Sequence, residues 1–314
     1  MIGQKIVVLG TGGTIAGTSA TAGDNVGYTA AQVGVDSLLA GVPGLQELAN
    51  GALVAEQVAQ IDSKDMDLEV WRALVLRCAH HLAAPDVCGL IITHGTDTLE
   101  ETAWFLQQAL APHKPVVLTC AMRPATALAP DGPQNLLDAV AVALAPGATG
   151  VLVVAAGEIH DARHVQKVHP YRVQAFNSGD AGPVGWVEEG RVRLVQNWPL
   201  ALMEKAPAAI ENIARTARWP HVEIVMSYAG ASGCVVDALV REGVQGLVVA
   251  CTGNGTIHHA LQAALLRAQA AGVRVVRATR CTEGQIIAKA GDTLPDSQGL
   301  SPVKARVSLM LDLL

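Results

Sequence analysis

Two threonine-bearing loops carry residue types from which chemistry could be built: Gly10-Thr11-Gly12-Gly13-Thr14-Ile15-Ala16-Gly17 and Thr93-His94-Gly95-Thr96-Asp97-Thr98-Leu99-Glu100-Glu101. Each follows a short β-branched run, and sites in open α/β sheets form where strands end at their carboxyl side. A threonine alcohol is a poor nucleophile until a base takes its proton. A lysine kept neutral by its surroundings is one such base, although spacing alone does not say which lysine. The first loop does not fit a dinucleotide fingerprint, because G-x-G-x-x-G begun at Gly10 and Gly12 needs a glycine where Ile15 stands. The motif also needs an immediate helix, whereas the small polar stretch from Thr18 to Tyr28 reads as a mobile loop. What remains is either a threonine hydroxyl on a turn whose backbone can approach a ligand closely, or a tight turn with a satisfied threonine. In the second loop Thr98 and Glu101 read as a capping box. Thr96 and Asp97 are then left between strand end and helix N-terminus, where partial positive charge favours an anion or a developing oxyanion.

A third pattern, His160-Asp161-Ala162-Arg163-His164, imitates the H-E-x-x-H zinc signature with aspartate for glutamate. Zinc binding by that signature requires both histidines on one helical face. Here the segment follows the strand-like Val151 to Ala156 and precedes Val165 and Val168 in an extended pattern, so no metal site is expected. The pairs His80-His81 and His258-His259 lie on helical stretches and are expected to face solvent. The six cysteines (78, 88, 120, 234, 251 and 281) have neither C-x-x-C nor zinc-finger spacing, which fits free thiols in a cytoplasmic protein.

The elements that would position these residues come from hydrophobic patterning. Ile6 to Leu9, Gly89 to Thr93, Pro115 to Thr119 and Val151 to Ala156 read as buried strands. Between them lies a helix capped by Asp65, with Leu68, Trp71, Val75, Cys78 and Leu82 at steps of three and four. Another helix opens at Thr98, and a third runs from about Pro133 to Ala145. Strand-then-helix order implies a doubly wound, mainly parallel α/β sheet. The expected organisation is a larger N-terminal catalytic domain over 1–190 and a linker over 191–219, where Asn197-Trp198-Pro199, Lys205-Ala206-Pro207 and Trp219-Pro220 interrupt the pattern. A smaller βαβ-type C-terminal domain over 220–314 follows. Its strands are read at Glu223 to Met226, Gly246 to Ala250 and Val273 to Ala278, with helical stretches near 234–242 and 257–271.

Composition narrows the class. The 314 residues are 50% hydrophobic and 16% charged, which excludes a disordered chain, and the net charge of −6 has no basic cluster to meet a phosphate backbone. No nucleic acid partner is expected. The longest apolar stretches stay below the roughly 18 residues of a membrane span, so no membrane association is expected either. The apolar run at 6–9 is shorter than the roughly seven residues of a secretory h-region, and the start reads as a first strand.

T-G-G-T-I-A-G after the first strand and H-G-T-D-T after a later one, in this order and separation, resemble the two signatures of the bacterial L-asparaginase/glutaminase family of threonine amidohydrolases. The likeness continues through Asp62-Ser63-Lys64-Asp65-Met66, Ala121-Met122-Arg123-Pro124, Asp131-Gly132-Pro133, Lys167, Gly253-Asn254-Gly255 and Lys304-Ala305-Arg306-Val307, and so spans nearly the whole chain. The resemblance implies that Thr14, on the loop that carries Tyr28, attacks a side-chain amide, and that Thr96, Lys167 and Asp97 form a second constellation activating an alcohol or water. It implies that Ser63 and Gly13 hold the substrate α-carboxylate, that Asp97 takes the α-ammonium, and that the backbone of Ala121 meets the amide. Asn254 would contribute to binding from the C-terminal domain. Lys64 places a cation near that ammonium and is expected to turn aside or to pair with an acid such as Asp65. The implied function is hydrolysis of L-asparagine through an acyl-threonine, without metal or organic cofactor, in a cytoplasmic homotetramer built as a dimer of dimers. The alternatives are a glutaminase, an aminoacyl-RNA amidotransferase subunit, or an amino-acid-binding sensor of the same fold.

Overall fold

The structure is a computed structural model that describes residues 4–21, 23–50, 52–199 and 206–314. It divides into two units, Met1–Ile210 and Glu211–Leu314. In the first, the strands are β1 (Lys5–Gly12), β2 (Leu53–Ile61), β3 (Val87–Thr93), β4 (Val116–Thr119), β5 (Val151–Ala155), β6 (Glu158–Asp161), a short ribbon of β7 (Gln166–Lys167) and β8 (Phe176–Asn177), then β9 (Gly185–Glu188) and β10 (Arg191–Leu194). Its helices are α1 (Val35–Ala40), α2 (Leu45–Leu48), α3 (Leu68–Ala83), α4 (Leu99–Leu110) and α5 (Gly132–Ala143).

The main sheet runs in the order β10-β9-β6-β5-β4-β3-β1-β2. The five strands from β2 to β5 pair in parallel, and β6, β9 and β10 extend the sheet antiparallel. Period-2 alternation divides the core. Ile6, Val8, Ile91, Val117, Leu152 and Val154 point toward α1, α2 and α5. Val7, Leu9, Leu90 and Ile92, equally buried, fill the opposite face, where α3 and α4 lie. With both faces covered, the central strands read as continuous apolar runs and are legible in the sequence. The edge strand β2 mixes half-buried and exposed positions, none fully buried, and carries Glu56, Gln57 and Gln60, so it lacks that signal.

Two local expectations are corrected. The cap of α3 is Asp67, whose carboxylate accepts the Glu69 and Val70 amides, while Asp65 sits in a preceding 3₁₀ turn. The Thr98 side chain does not cap α4 and instead donates its hydroxyl hydrogen to the Ser63 carbonyl at 2.8 Å. Part of the expected linker is also sheet: Arg191–Leu194 forms β10, antiparallel to β9, with Arg193 paired to Glu188 across the ladder. Residues 200–205 of that linker, Lys205 included, lie outside the described residues.

Helix α6 (Ala206–Arg215) spans the division between the units. The second unit contains β11 (Val222–Met226), α7 (Cys234–Arg241), β12 (Gly246–Cys251), α8 (His259–Ala270), β13 (Arg274–Thr279) and α9 (Pro302–Asp312). It is a parallel three-stranded sheet in the order β11-β12-β13. Leu247, Val249 and Val275 pack against Val236 of α7 and Leu261, Ala264 and Leu265 of α8. Among the described residues, no helix is long and apolar enough to cross a membrane.

Candidate active site

The parallel strands follow the order 2-1-3-4-5, whose topological switch point lies between β1 and β3. The two threonine loops leave the sheet from those two strands. They touch: Gly13 has φ +82°, and a methyl group there would overlap the Gly95 backbone. A methyl on Gly95 would in turn overlap the Ser63 side chain. Glycine at 13 and 95 is therefore required for three chain segments, distant in sequence, to close on one another.

Thr14 opens a 3₁₀ turn directly after β1 and is buried. Its hydroxyl lies 2.6 Å from the Tyr28 hydroxyl. The stretch between them, read from the sequence as mobile, closes at its base through reciprocal Thr18–Thr29 backbone hydrogen bonds, and the Asp24 carboxylate accepts the Val26 and Gly27 amides. Ala22 of this loop lies outside the described residues. Gly17 leaves the space that the Tyr28 ring edge occupies.

Around the second loop, the buried Ser63 hydroxyl accepts the Asp97 amide at 3.1 Å and so retains its own hydrogen for another acceptor. The Lys167 ammonium donates to Thr96 Oγ1 at 2.8 Å and to Asp97 Oδ1 at 2.5 Å. Lys167 sits on β7, opposite Phe176, and its amide is received by Glu100 of α4 at 3.2 Å. Glu100 was not singled out in the sequence, since its partner is 67 residues away.

Ala121 lies in the turn after β4. The Asp131 carboxylate holds that turn by accepting the Met122 and Arg123 amides at 2.9 and 3.0 Å. Asn135, one helical turn beyond Asp131, donates to the Cys120 carbonyl and accepts the Ala156 amide. Its i+4 spacing from Asp131 is the one sequence signal that marks it.

Lys64 is turned into its own loop: its ammonium lies 2.8 Å from Asp62 and 3.1 Å from Asp65 and is 60% exposed. These carboxylates, Asp62 first, raise its pKa above the ordinary lysine value. Asn254 belongs to the second unit, where its side-chain amide accepts from the Ile287 N–H at 2.7 Å and donates to the Ile287 carbonyl at 3.1 Å. The structure thus brings Gly13, Thr14, Tyr28, Ser63, Thr96, Asp97 and Lys167 into one hydrogen-bonded and packed cluster, and it engages Asn254 with backbone of its own unit.

The His160 motif is not helical. His160 lies on β6 with Nδ1 2.8 Å from the Ser178 hydroxyl, whereas His164 Nδ1 lies 2.8 Å from Asp161. The two imidazoles serve different partners. Of the histidines expected to face solvent, His81 instead meets Glu56 at 2.7 Å, and His258 caps α8 by accepting the Ala260 amide.

Residues 5–200 match the family described as Asparaginase, N-terminal, and residues 221–313 match the Glutaminase/Asparaginase C-terminal domain. L-asparaginase 2 of Bacillus subtilis is 37% identical over 98% of this chain and 82% of its own. Glutaminase-asparaginase of Pseudomonas fluorescens biotype A is 37% identical over 98% and 86%. The crystal structure of the probable cytoplasmic L-asparaginase from Campylobacter jejuni superposes with a TM-score of 0.90 at 38% identity, covering 99% of this chain and 95% of that one. The fold, the loops at its switch point and these full-length likenesses agree: this chain belongs to the asparaginase family.

Proposed function

We propose that the protein hydrolyses the side-chain amide of L-asparagine to L-aspartate and ammonia through an acyl-threonine intermediate. The observation that carries this reading is a pair of threonine hydroxyls, each hydrogen-bonded to an ionisable side chain, on loops that touch at Gly13 and Gly95. Family membership supports the amide substrate. Thr14 Oγ1 attacks the amide carbon while its proton passes to the Tyr28 hydroxyl, which gives its own proton to the amide nitrogen. The C–N bond breaks and that proton leaves with ammonia. Water then attacks the ester as its proton passes through the Thr96 hydroxyl to the neutral form of Lys167; the carbon–Oγ1 bond breaks, a proton returns to Thr14 Oγ1, and aspartate is released. The route uses no metal or organic cofactor.

Recognition of a small zwitterion needs opposite charges at opposite ends. The Ser63 hydroxyl and the Gly13 backbone meet the α-carboxylate, Asp97 meets the α-ammonium, and the backbone at Ala121 meets the amide. Asn254 adds a contact from the C-terminal unit of a neighbouring subunit in a homotetramer. The cytoplasm is the compartment we infer, a reading supported by six free thiols, two of them exposed. Glutamine is a second substrate reading, favoured by the Pseudomonas relative named for both activities.

The test is ammonia release by the purified protein from L-asparagine, L-glutamine and D-asparagine, with mass measured by light scattering. Release from L-asparagine with trapping of an ester on Thr14 is the expected result. An active protein acylated elsewhere would overturn the nucleophile assignment, and no release from any amide would overturn the reading as a whole.

A further inference from the structure

Behind the second threonine loop lies a buried chain of neutral hydrogen bonds that the chemistry above does not use. Trp71 of α3, Thr102 of α4 and His94 at the end of β3 are all buried. Trp71 Nε1 donates to Thr102 Oγ1 at 2.9 Å, Thr102 Oγ1 lies 2.9 Å from His94 Nε2, and His94 Nδ1 lies 2.7 Å from the Gly95 carbonyl. The ends of the chain dictate its proton arrangement. An indole N–H can only donate and a carbonyl can only accept. His94 Nδ1 must therefore carry the hydrogen that Gly95 receives. In a neutral ring Nε2 is then an acceptor, and the Thr102 hydroxyl, already receiving from Trp71, supplies its hydrogen. Burial holds the imidazole neutral by pushing its pKa down to about 4, although the Gly95 carbonyl opposes that shift.

The anchor at the helix end is stiff. The Trp71 ring stacks on Phe105 with centroids 4.7 Å apart and planes at 11°. The other end is the backbone on which the candidate site is built, since Gly95 packs against Gly13 and Ser63 and is followed directly by Thr96 and Asp97. On the strand side the His94 amide is held by the Thr119 carbonyl at 2.9 Å.

We propose that His94 is a positioning residue, and that the Trp71–Thr102–His94 relay sets the orientation of the Gly95–Thr96 peptide so that the Thr96 hydroxyl meets Lys167. This rests on the amidohydrolase reading above. It also assigns His94 the Nδ1–H neutral tautomer, the less common one for a free imidazole, and assigns it no role in transferring protons to substrate.

Two measurements test it. In protein labelled with ¹⁵N-histidine, His94 is expected to show the Nδ1–H tautomer and no titration between pH 5.5 and 9. An Nε2–H tautomer, or a midpoint near that of free imidazole, overturns the assignment even if no variant folds. In kinetics, Thr102→Val keeps the side-chain shape while removing the hydroxyl. It is expected to lower kcat for asparagine about tenfold with KM changed less than about threefold, and Thr102→Ser is expected to stay within about twofold of wild type. A folded Thr102→Val protein with wild-type kcat, or a loss confined to melting temperature, overturns the positioning role alone. Wild-type protein without amidase activity removes the functional reading and this proposal together.

Discussion

Lys64→Gln tests whether a cation beside the substrate ammonium site is neutralised. An unpaired ammonium about 6 Å from the substrate ammonium, at an effective dielectric near 20, would weaken binding by about a hundredfold. The structure argues for a far smaller effect. Lys64 is 60% exposed, and its ammonium contacts two carboxylates, Asp62 at 2.8 Å and Asp65 at 3.1 Å. The three groups together carry a net charge of about −1 at neutral pH. At a water-like dielectric near 80 the same separation corresponds to only about threefold. Lys64→Gln is therefore expected to lower KM for asparagine by no more than about threefold, since removing the cation leaves Asp62 and Asp65 to attract the substrate ammonium. The change in kcat should be smaller still, because bound substrate and transition state carry the same ammonium. The assay is initial-rate ammonia release over a range of asparagine concentrations at 20 and 300 mM salt, and the difference should shrink at the higher ionic strength. A raised KM would show that Lys64 binds the substrate carboxylate. A fall of a hundredfold would show that its pairing with Asp62 and Asp65 does not persist in solution.

Thr14→Ala and Thr96→Val should each lower kcat by about a thousandfold or more while circular dichroism stays unchanged, because both hydroxyls sit on loops at strand ends where substitution opens no large cavity; near-wild-type ammonia release from either would remove that threonine from the chemistry. Gly13→Ala should lose both activity and several degrees of melting temperature, since a methyl group at φ +82° would meet the Gly95 backbone, and a variant as active as wild type would contradict the close approach of the two loops. Glu56 is bonded first by Arg77 and then by His81, which hold its pKa down at about 2 against 4.5 for the free acid. A depressed carboxylate contributes stability that is fully present above pH 4.5 and lost as pH falls toward 2. With Arg77 41% exposed, solvent screening reduces this to about 1–2 kcal/mol. Urea melts of Glu56→Gln and wild type should therefore differ at pH 7 and converge near pH 2.5, and an equal gap at both pH values would refute the linkage.

What the sequence by itself determined lies within a few residues of each signal. Ile6 to Leu9 and Gly89 to Thr93 are apolar because both faces of their strands are covered, and glycine and threonine follow where a crevice opens. Thr14 and Thr96 could therefore be placed at strand ends without coordinates. The edge strand β2 carries no such signal because none of its positions is fully buried. The antiparallel β6, β9 and β10 are only four residues each, too short for a period to register. Tertiary structure alone decided which local preference won. Thr98 had a helix end within reach as a cap, yet its hydroxyl went to the Ser63 carbonyl, 35 residues away. Lys64 had two acids within two residues, so its pairing with Asp65 could be anticipated. Lys167 met Thr96 and Asp97 across 71 and 70 residues, through a two-residue ribbon that no pattern announces. Hydrophobic periodicity encodes which face a residue presents, but a hydrogen bond between distant side chains depends on the register and spacing of the elements that carry them. Those are set only when the sheet is assembled and its helices are packed.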